Sequence, residues 1–354
     1  MNPDFWKQKK VLITGHTGFK GSWMSIWLQE LGATVTGYSN SIPTEPSLFK
    51  IANVEEGMQS IIADVRDLNK LKEIISNFEP EIVLHLAAQS LVQDSYNEPL
   101  ETFSTNIMGT VNLFEAVKTC QSVKVVINVT SDKCYEENEQ SRGFKETDPL
   151  GGYDPYSSSK GCSELVTTAY RNSFFNKNKK SNIVLASVRA GNVIGGGDWA
   201  KDRLIPDIMK GILKNETIKI RNPNFIRHWQ HVLDPLNGYM ILAEKLWDEG
   251  EKFAESWNFG PIEDNAKPVS WILEKFNEYW NKGIEWKIDN NEYNHENNFL
   301  KLDSSKSNTK LGWNSKIKLE VAIKLIVEWY TKFKNGENMR EVSKEQIRYF
   351  GKIK

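Results

Sequence analysis

Cysteine is scarce. Cys120, Cys134 and Cys162 are the only three in 354 residues, and no two stand at a metal-binding or redox spacing. That excludes a disulfide scaffold and suits reduced thiols in a reducing compartment. Long apolar runs are also missing. No stretch approaches the roughly 18 residues of a membrane span, and the opening segment MNPDFWKQKK lacks the apolar centre of a secretory signal. Nor is there an excess of one charge: 45 basic side chains against 46 acidic leave a formal net charge of −1. Such a balance gives no global field to attract nucleic acid or an anionic membrane. Acids and histidines lack ligand spacing, so no metal site is expected. A soluble, cytoplasmic protein is expected.

The chain does have enough apolar residues for a core of ordinary size (39% hydrophobic) and an unusual twelve tryptophans, which are expected in the core or in pocket walls. Apolar strands alternate with helices. VLIT (11–14), ATVTGY (33–38), SIIADV (60–65), EIVLHLAA (81–88), VKVVINVT (123–130) and NIVLASVRA (182–190) read as strands. Residues 21–32, 68–78, 98–118 and 156–174 read as helices between them. Strands that are apolar throughout, separated by helices, imply a parallel sheet covered on both faces. The expected class is α/β, a doubly wound parallel (Rossmann) sheet with a smaller C-terminal α/β substrate-binding domain. Residues 1–190 would bind a dinucleotide and carry the catalytic groups, and 191–354 would mainly bind substrate, with the chain free to cross back. A Gly-rich, charged loop is expected over 191–206 and a last amphipathic helix near 318–334. The Asn/Lys-rich stretches 176–182 and 289–298 read as solvated loops.

TGHTGFKG (14–21) follows the first strand and opens the first helix. Gly15 permits a tight turn, Gly18 lets a pyrophosphate approach the helix N-terminus, and Gly21 allows close helix–sheet packing. His16 lies inside the turn, where it would either crowd the phosphates or donate to them. The second strand ends Gly37-Tyr38-Ser39-Asn40, with neither acid nor arginine. The missing arginine favours NAD over its 2′-phosphate. Asp64 is placed to accept from the adenine amino group, or else to cap the following helix.

Tyr156 and Lys160 form Y-x-x-x-K on a helix, so both lie on one face. An ammonium near a phenol lowers its pKa from about 10, and a phenolate can take a proton from a sugar hydroxyl. Ser131, Asp132 and Lys133 follow the fifth strand as a hydroxyl, an acid and a base. Their bland alternative is an Asp132–Lys133 ion pair at a loop. Cys134, with no histidine nearby in sequence, reads as packing under the loop.

With TGHTGFKG, ADVRD (63–67), HLAA (85–88), Asn106, the strand-end hydroxyl and YSSSK (156–160) in this order, the chain resembles the extended short-chain dehydrogenase/reductases. Within that family, 4,6-dehydratases of nucleotide sugars carry Thr-Asp-Glu where this chain has Ser131-Asp132-Lys133. The lysine is a feature of the branch that acts on CDP-glucose, and TEPSLF (44–49), RAGNVIGGGDWAKDRLIPD (189–207) and RHWQHVLDPLNGY (227–239) look like the same branch. The choice of CDP rests on resemblance alone.

The resemblance implies a lyase with bound NAD. Gly15, His16, Thr17, Gly18, Phe19, Gly21, Asp64, Val65, Leu86, Ala87, Ala88 and Asn106 would surround the cofactor together with Tyr156 and Lys160. Tyr156 would serve oxidation at C4, tuned by Lys160, and Ser131 would hold the O4 region. Asp132, kept protonated, would be the acid at C6. Lys133 would remove the C5 hydrogen, orient a water or stabilise the enolate. Gln89, Asn192, Arg203, Leu204, Arg221, Arg227 and Trp229 would bind the sugar nucleotide, the arginines suiting a diphosphate. Trp199 and Trp229 would stack on base or sugar, or simply fill the core, and His228 and His231 would make backbone hydrogen bonds. A homodimer or homotetramer paired through the 98–118 and 156–174 helices is expected, supplying deoxy sugars for surface polysaccharide such as lipopolysaccharide O-antigen. The competing readings are an epimerase or dehydrogenase on the same scaffold, or an NAD-sensing protein without catalysis.

Overall fold

Seven short apolar strands lie side by side, all parallel, in the computed structural model, which describes residues 1–137, 142–176, 181–280, 283–289 and 300–353. They are β1 (Lys10–Thr14), β2 (Thr34–Ser39), β3 (Gln59–Ile62), β4 (Ile82–His85), β5 (Val125–Val129), β6 (Val184–Ala190) and, much later, Ser256–Phe259. Their spatial order is β3-β2-β1-β4-β5-β6, with the late strand beside β6. The connection from β3 to β4 reverses the strand order, leaving β1 and β4 adjacent, where an open α/β sheet forms its ligand crevice. Register is continuous across the centre, Leu12 beside Val83, Val83 beside Val126 and Val126 beside Leu185.

Side chains alternate across the sheet, so each strand feeds two cores. Leu12, Val83, Val126 and Leu185 face α2 (Leu68–Phe78) and the helix Gly109–Val117 (α3), where Leu71, Ile75, Leu113 and Phe114 are buried. Val11, Ile13, Ile82, Leu84, Val125 and Ile127 face the other way. There they meet α1 (Phe19–Glu30) and a long helix Leu233–Glu249. Residues 21 to 28 of α1 are all buried, which is why this helix reads as apolar all round rather than amphipathic.

After β6 the chain differs from a simple loop. Asn192–Ile194 (β7) pairs with Ile226–His231 in a small second sheet, and a helix begins at Leu204 within the segment expected to be irregular. Two further helices close the chain. Leu319–Lys334 matches the amphipathic helix expected near 318–334, but it is not the last. Met339–Lys352 follows and buries Met339, Val342, Ile347 and Phe350. Phe350 meets Trp27 of α1 edge-on. This helix is mostly polar in composition, so its apolar stripe is easily missed. The stretches 176–182 and 289–298 fall largely outside the described residues. No helix among the described residues is long and apolar enough to cross a membrane.

Candidate active site

Two cavities open at the C-terminal ends of the sheet strands. The larger, about 680 Å³, is lined by the glycine turn (Gly15, Thr17, Gly18, Phe19, Gly21), by Val65, by Leu86, Ala87, Ala88 and Gln89 after β4, and by Tyr156 and Lys160. The second, about 320 Å³, is lined by Ser131, Asp132, Lys133 and Tyr156, with Asn192, Arg203, Leu204, Arg221, Arg227 and Trp229 opposite. Tyr156, Thr130, Phe19, Lys20 and Arg203 line both. Groups that touch a ligand in one cavity are thus within reach of a ligand in the other.

The larger cavity has the form of a dinucleotide cradle. Gly18 caps α1 without any side-chain hydrogen bond, leaving the first-turn N–H groups free to meet an anion. Gly15 holds φ +78°, and a Cβ there would lie 2.7 Å from the Ala87 nitrogen. At Gly21 a Cβ would lie 2.1 Å from the Gly15 carbonyl oxygen, so only glycine lets α1 sit this close to the turn. Gly21→Ala is therefore expected to destabilise the protein by about 1–3 kcal/mol and to weaken dinucleotide affinity at least tenfold. Urea unfolding and fluorescence titration with NAD check this, and an unchanged affinity would refute the close-approach argument. The end of β2 adds Ser39, Asn40 and Ser41 to the wall, with neither acid nor arginine.

Several residues expected at the cofactor stand elsewhere. The His16 ring turns away from the turn it belongs to. It lies over Gly37, bonded to Ser39 Oγ (2.9 Å) and Ser60 Oγ (2.7 Å), and does not line the cavity. Burial pushes its pKa down to about 4, so the ring is neutral and neither crowds nor charges the phosphates. The Asp64 carboxylate is held by the Arg66 guanidinium (2.6 Å), which keeps its pKa low, and it does not border the cavity. Nor does it cap the next helix; Asp67 does. Asn106 is buried one layer back. It bonds the Gln89 backbone in both directions (2.9 and 3.0 Å) and takes Ser159 Oγ at 2.8 Å, so it fixes the 86–90 loop rather than the cofactor.

The catalytic segment is built by its own hydroxyl. Ser131 caps a short 3₁₀ turn, Asp132–Cys134, accepting from the Lys133 N–H at 3.2 Å and donating to Asp132 Oδ1 at 3.0 Å. Asp132 thus bonds its neighbour's hydroxyl, and among the described residues no ion pair joins it to Lys133. Its carboxyl is buried, and desolvation raises its pKa against the pull of Lys133 and Ser131. That suits a group held protonated. Lys133 is half-buried on the same wall. Cys134 is fully buried and burial pushes its thiol up, as packing under the loop requires.

Tyr156 and Lys160 share one face of the helix Pro155–Ser173, which Asp154 caps through the Ser157 N–H (2.9 Å). The expected lowering of the phenol is not found. Burial raises Tyr156 to about 12, with Ser131 opposing, and Lys160 is not among the groups that move it. The Lys160 ammonium is turned to the Val129 carbonyl at 3.3 Å, and burial with Lys20 brings it down to about 8. Burial disfavours a phenolate, and positive charge brought in by a ligand would lower the phenol.

On the opposite wall Arg203 pairs with Asp198 (3.2 Å) and bonds Ser90 Oγ (3.2 Å), and Arg221 holds the Asp202 carbonyl (3.0 Å). Arg203, Arg221, Arg227 and Lys219 surround the same space, a cationic wall for a diphosphate. Trp229 faces it with its Nε1 anchored on the Lys267 carbonyl (3.2 Å). Trp199 lines the larger cavity but stands edge-on to Tyr330 and Phe333 in the core. The His231 Nδ1 accepts from the Leu233 N–H at 3.4 Å, and His228 has a backbone partner in Leu300. Sequence reasoning missed Lys20, Thr130, Ser90 and Asp198. Lys20 alone gave a signal, being a cation set between the glycines of a phosphate turn.

The GDP-mannose 4,6 dehydratase family model matches residues 12–326. CDP-glucose 4,6-dehydratase of Salmonella typhimurium is 52% identical over 349 residues, covering 98% of this chain and 97% of that protein. Among solved structures, UDP-glucose 4-epimerase of Thermotoga maritima with UDP-glucose aligns with TM-score 0.77 at 25% identity, covering 92% of this chain and 99% of the other. The dTDP-glucose 4,6-dehydratase of Bacillus anthracis in complex with NAD aligns with TM-score 0.76 at 20% identity, covering 94% and 99%. The glycine cradle, the helical Tyr156–Lys160 pair and a match spanning nearly the whole sheet and its partner lobe together mean that this chain belongs to the GDP-mannose 4,6 dehydratase family of extended short-chain dehydrogenase/reductases.

Proposed function

We propose that the protein is a lyase that converts CDP-D-glucose to CDP-4-dehydro-6-deoxy-D-glucose and water, with bound NAD. One observation carries the reading. Ser131, Asp132, Lys133 and Tyr156 border a single cavity that meets the glycine cradle at Tyr156. NAD, when bound, accepts the C4 hydride and returns it to C6. Tyr156 takes the C4 hydroxyl proton while Ser131 holds that oxygen. The resulting ketone acidifies the C5 hydrogen, and Lys133 either removes it or stabilises the enolate. Asp132 gives its proton to the C6 hydroxyl, which leaves as water. Gly15, Thr17, Gly18, Phe19, Gly21, Val65, Leu86, Ala87, Ala88 and Lys160 would hold the cofactor. Residues 1–190 would carry these groups, and 191–354 mainly the cationic wall for the sugar nucleotide.

An acid beside the strand hydroxyl favours elimination over simple C4 epimerisation, which needs no proton donor at C6. The test is a panel of CDP-, dTDP-, GDP- and UDP-glucose followed by mass spectrometry. CDP-glucose should lose one water without lasting accumulation of reduced cofactor. A C4 epimer, or stoichiometric NADH, would replace this reading. Asp132→Asn should slow water loss by about 10²–10⁴-fold while bound cofactor is still reduced. Unchanged turnover would remove Asp132 from the mechanism.

The remaining expectations stay with this proposal: a cytoplasmic enzyme supplying deoxy sugars for surface polysaccharide, working as a homodimer or homotetramer. Leu100 and Met108 on the 99–108 segment and Leu165 on the Tyr156 helix are exposed by half or more, which supports pairing through those helices.

A further inference from the structure

Lys20 occupies the second position of α1, on the turn expected to grip a pyrophosphate, yet its side chain also lines the substrate cavity. It makes no hydrogen bond and no ion pair within 4 Å with another described residue. Asp132, Asp198 and Arg203 line the same cavity wall; the two acids attract the Lys20 charge and Arg203 repels it. Lys160 also feels it, from the cofactor side. Arg203 already pairs with Asp198 (3.2 Å), so Asp132 is the acid left without a cation in direct contact. Burial and Arg203 bring the Lys20 ammonium down to about 8, so it carries charge near neutrality but at a cost that an adjacent anion would relieve.

We propose that Lys20 is a positioning residue for the elimination step: its ammonium stabilises the carboxylate left on Asp132 once that acid has given its proton to the departing C6 hydroxyl. This rests on the dehydratase reading above. A buried general acid faces a difficulty at that moment. The desolvation that keeps it protonated also opposes the anion it must become. A cation held nearby but uncommitted removes the second penalty while leaving the first largely in place. The enolate's electron pair, freed by loss of the C5 proton, forms the C5=C6 bond as the proton moves from Asp132 to the hydroxyl oxygen; the C6–O bond breaks with its electron pair and water departs. No further reactant is needed. Lys133 pulls on Asp132 more strongly than Lys20 does, but this reading assigns it to C5, so Lys20 is the second cation; Ser131 is neutral, and the phenols of Tyr156 and Tyr239 and the thiol of Cys134 supply no positive charge.

The experiment compares Lys20→Met, Lys20→Arg and the wild type as holoenzymes with CDP-glucose. Cofactor reduction is followed by rapid-mixing absorbance and product by quenched mass spectrometry. Lys20→Met should keep the reduction rate within about threefold, slow water loss at least tenfold, and leave reduced cofactor accumulating. With the cation gone the Asp132 pKa rises, so the alkaline limb of the elimination rate should move to higher pH even as the rate falls. Lys20→Arg should recover a third or more of the wild-type rate. Equal slowing of reduction and water loss, with weaker NAD binding, would assign Lys20 to the pyrophosphate and overturn the proposal. So would a limb that does not move. If the wild type itself makes no 4-keto-6-deoxy product, the dehydratase reading fails; if it does and Lys20→Met matches it, only this inference fails.

Discussion

Tyr156→Phe is expected to slow reduction of bound NAD by CDP-glucose about 10²–10⁴-fold. The change removes one oxygen. The ring is almost fully buried and its packing survives, and the residue lines both cavities, as the proposed proton transfer from C4 requires. The pH dependence follows from the surroundings. Burial holds the phenol near 12, so at neutral pH it is protonated before ligands bind, and the reduction rate should rise as pH rises. In Tyr156→Phe the upward slope should vanish. Rapid-mixing absorbance across pH 6 to about 9.5 measures both quantities. A variant within fivefold of the wild type, or one that keeps the slope, would show that another group takes the proton.

Much of the fold and the site is legible in the amino-acid sequence, for identifiable reasons. The helix at 68–78 reads to the residue because Asp67 caps it and Leu71 and Ile75 repeat at helical spacing. The glycine turn reads because its context, strand then helix, gives each glycine a job. The strand Ser256–Phe259 does not read, since four residues containing a serine and an asparagine carry no strand pattern. Asn258 is buried there only because Tyr135, Phe144 and Ser307 satisfy its polar groups. His16 fails in the opposite way. Its position in the chain is at the phosphates, but its side chain answers to Gly37, Ser39 and Ser60 on the neighbouring strands. The same limit applies to Tyr156, where a shared helix face places Lys160 correctly but burial, not proximity, sets the pKa. Lys20 matters through Asp132 and Asp198, which lie far along the chain. Spacing reveals groups that share an element; what converges from separate strands depends on the fold.

The catalytic segment is held from behind by a buried ion pair that no motif announces, and breaking it should have the largest effect on stability. Glu164 and Arg189 are 0% and 2% exposed and lie 2.8 Å apart. Glu164 also accepts from Thr130, Ser187 and Ser256, and Arg189 donates to the Tyr135 hydroxyl at 2.6 Å. Thr130 and Tyr135 bracket residues 131–134, so the pair fixes both ends of the loop that carries Ser131, Asp132 and Lys133. Arg189→Met should cost about 3–5 kcal/mol, because it strands a buried carboxylate. Removing both charges, as in Glu164→Leu with Arg189→Met, should recover part of that loss. The acid dependence carries a definite sign. Burial acts to raise the Glu164 pKa, but Arg189 and the hydroxyls of Ser187 and Thr130 outweigh it and leave about 2. A depressed carboxylate stabilises the fold above its unfolded pKa of about 4.3 and loses that contribution as pH falls toward 2. Urea midpoints measured from pH 7 down to about 3 should therefore fall through this window in the wild type, and fall less in the double variant. Should Arg189→Met unfold at the wild-type urea midpoint, the pair is not what secures the loop.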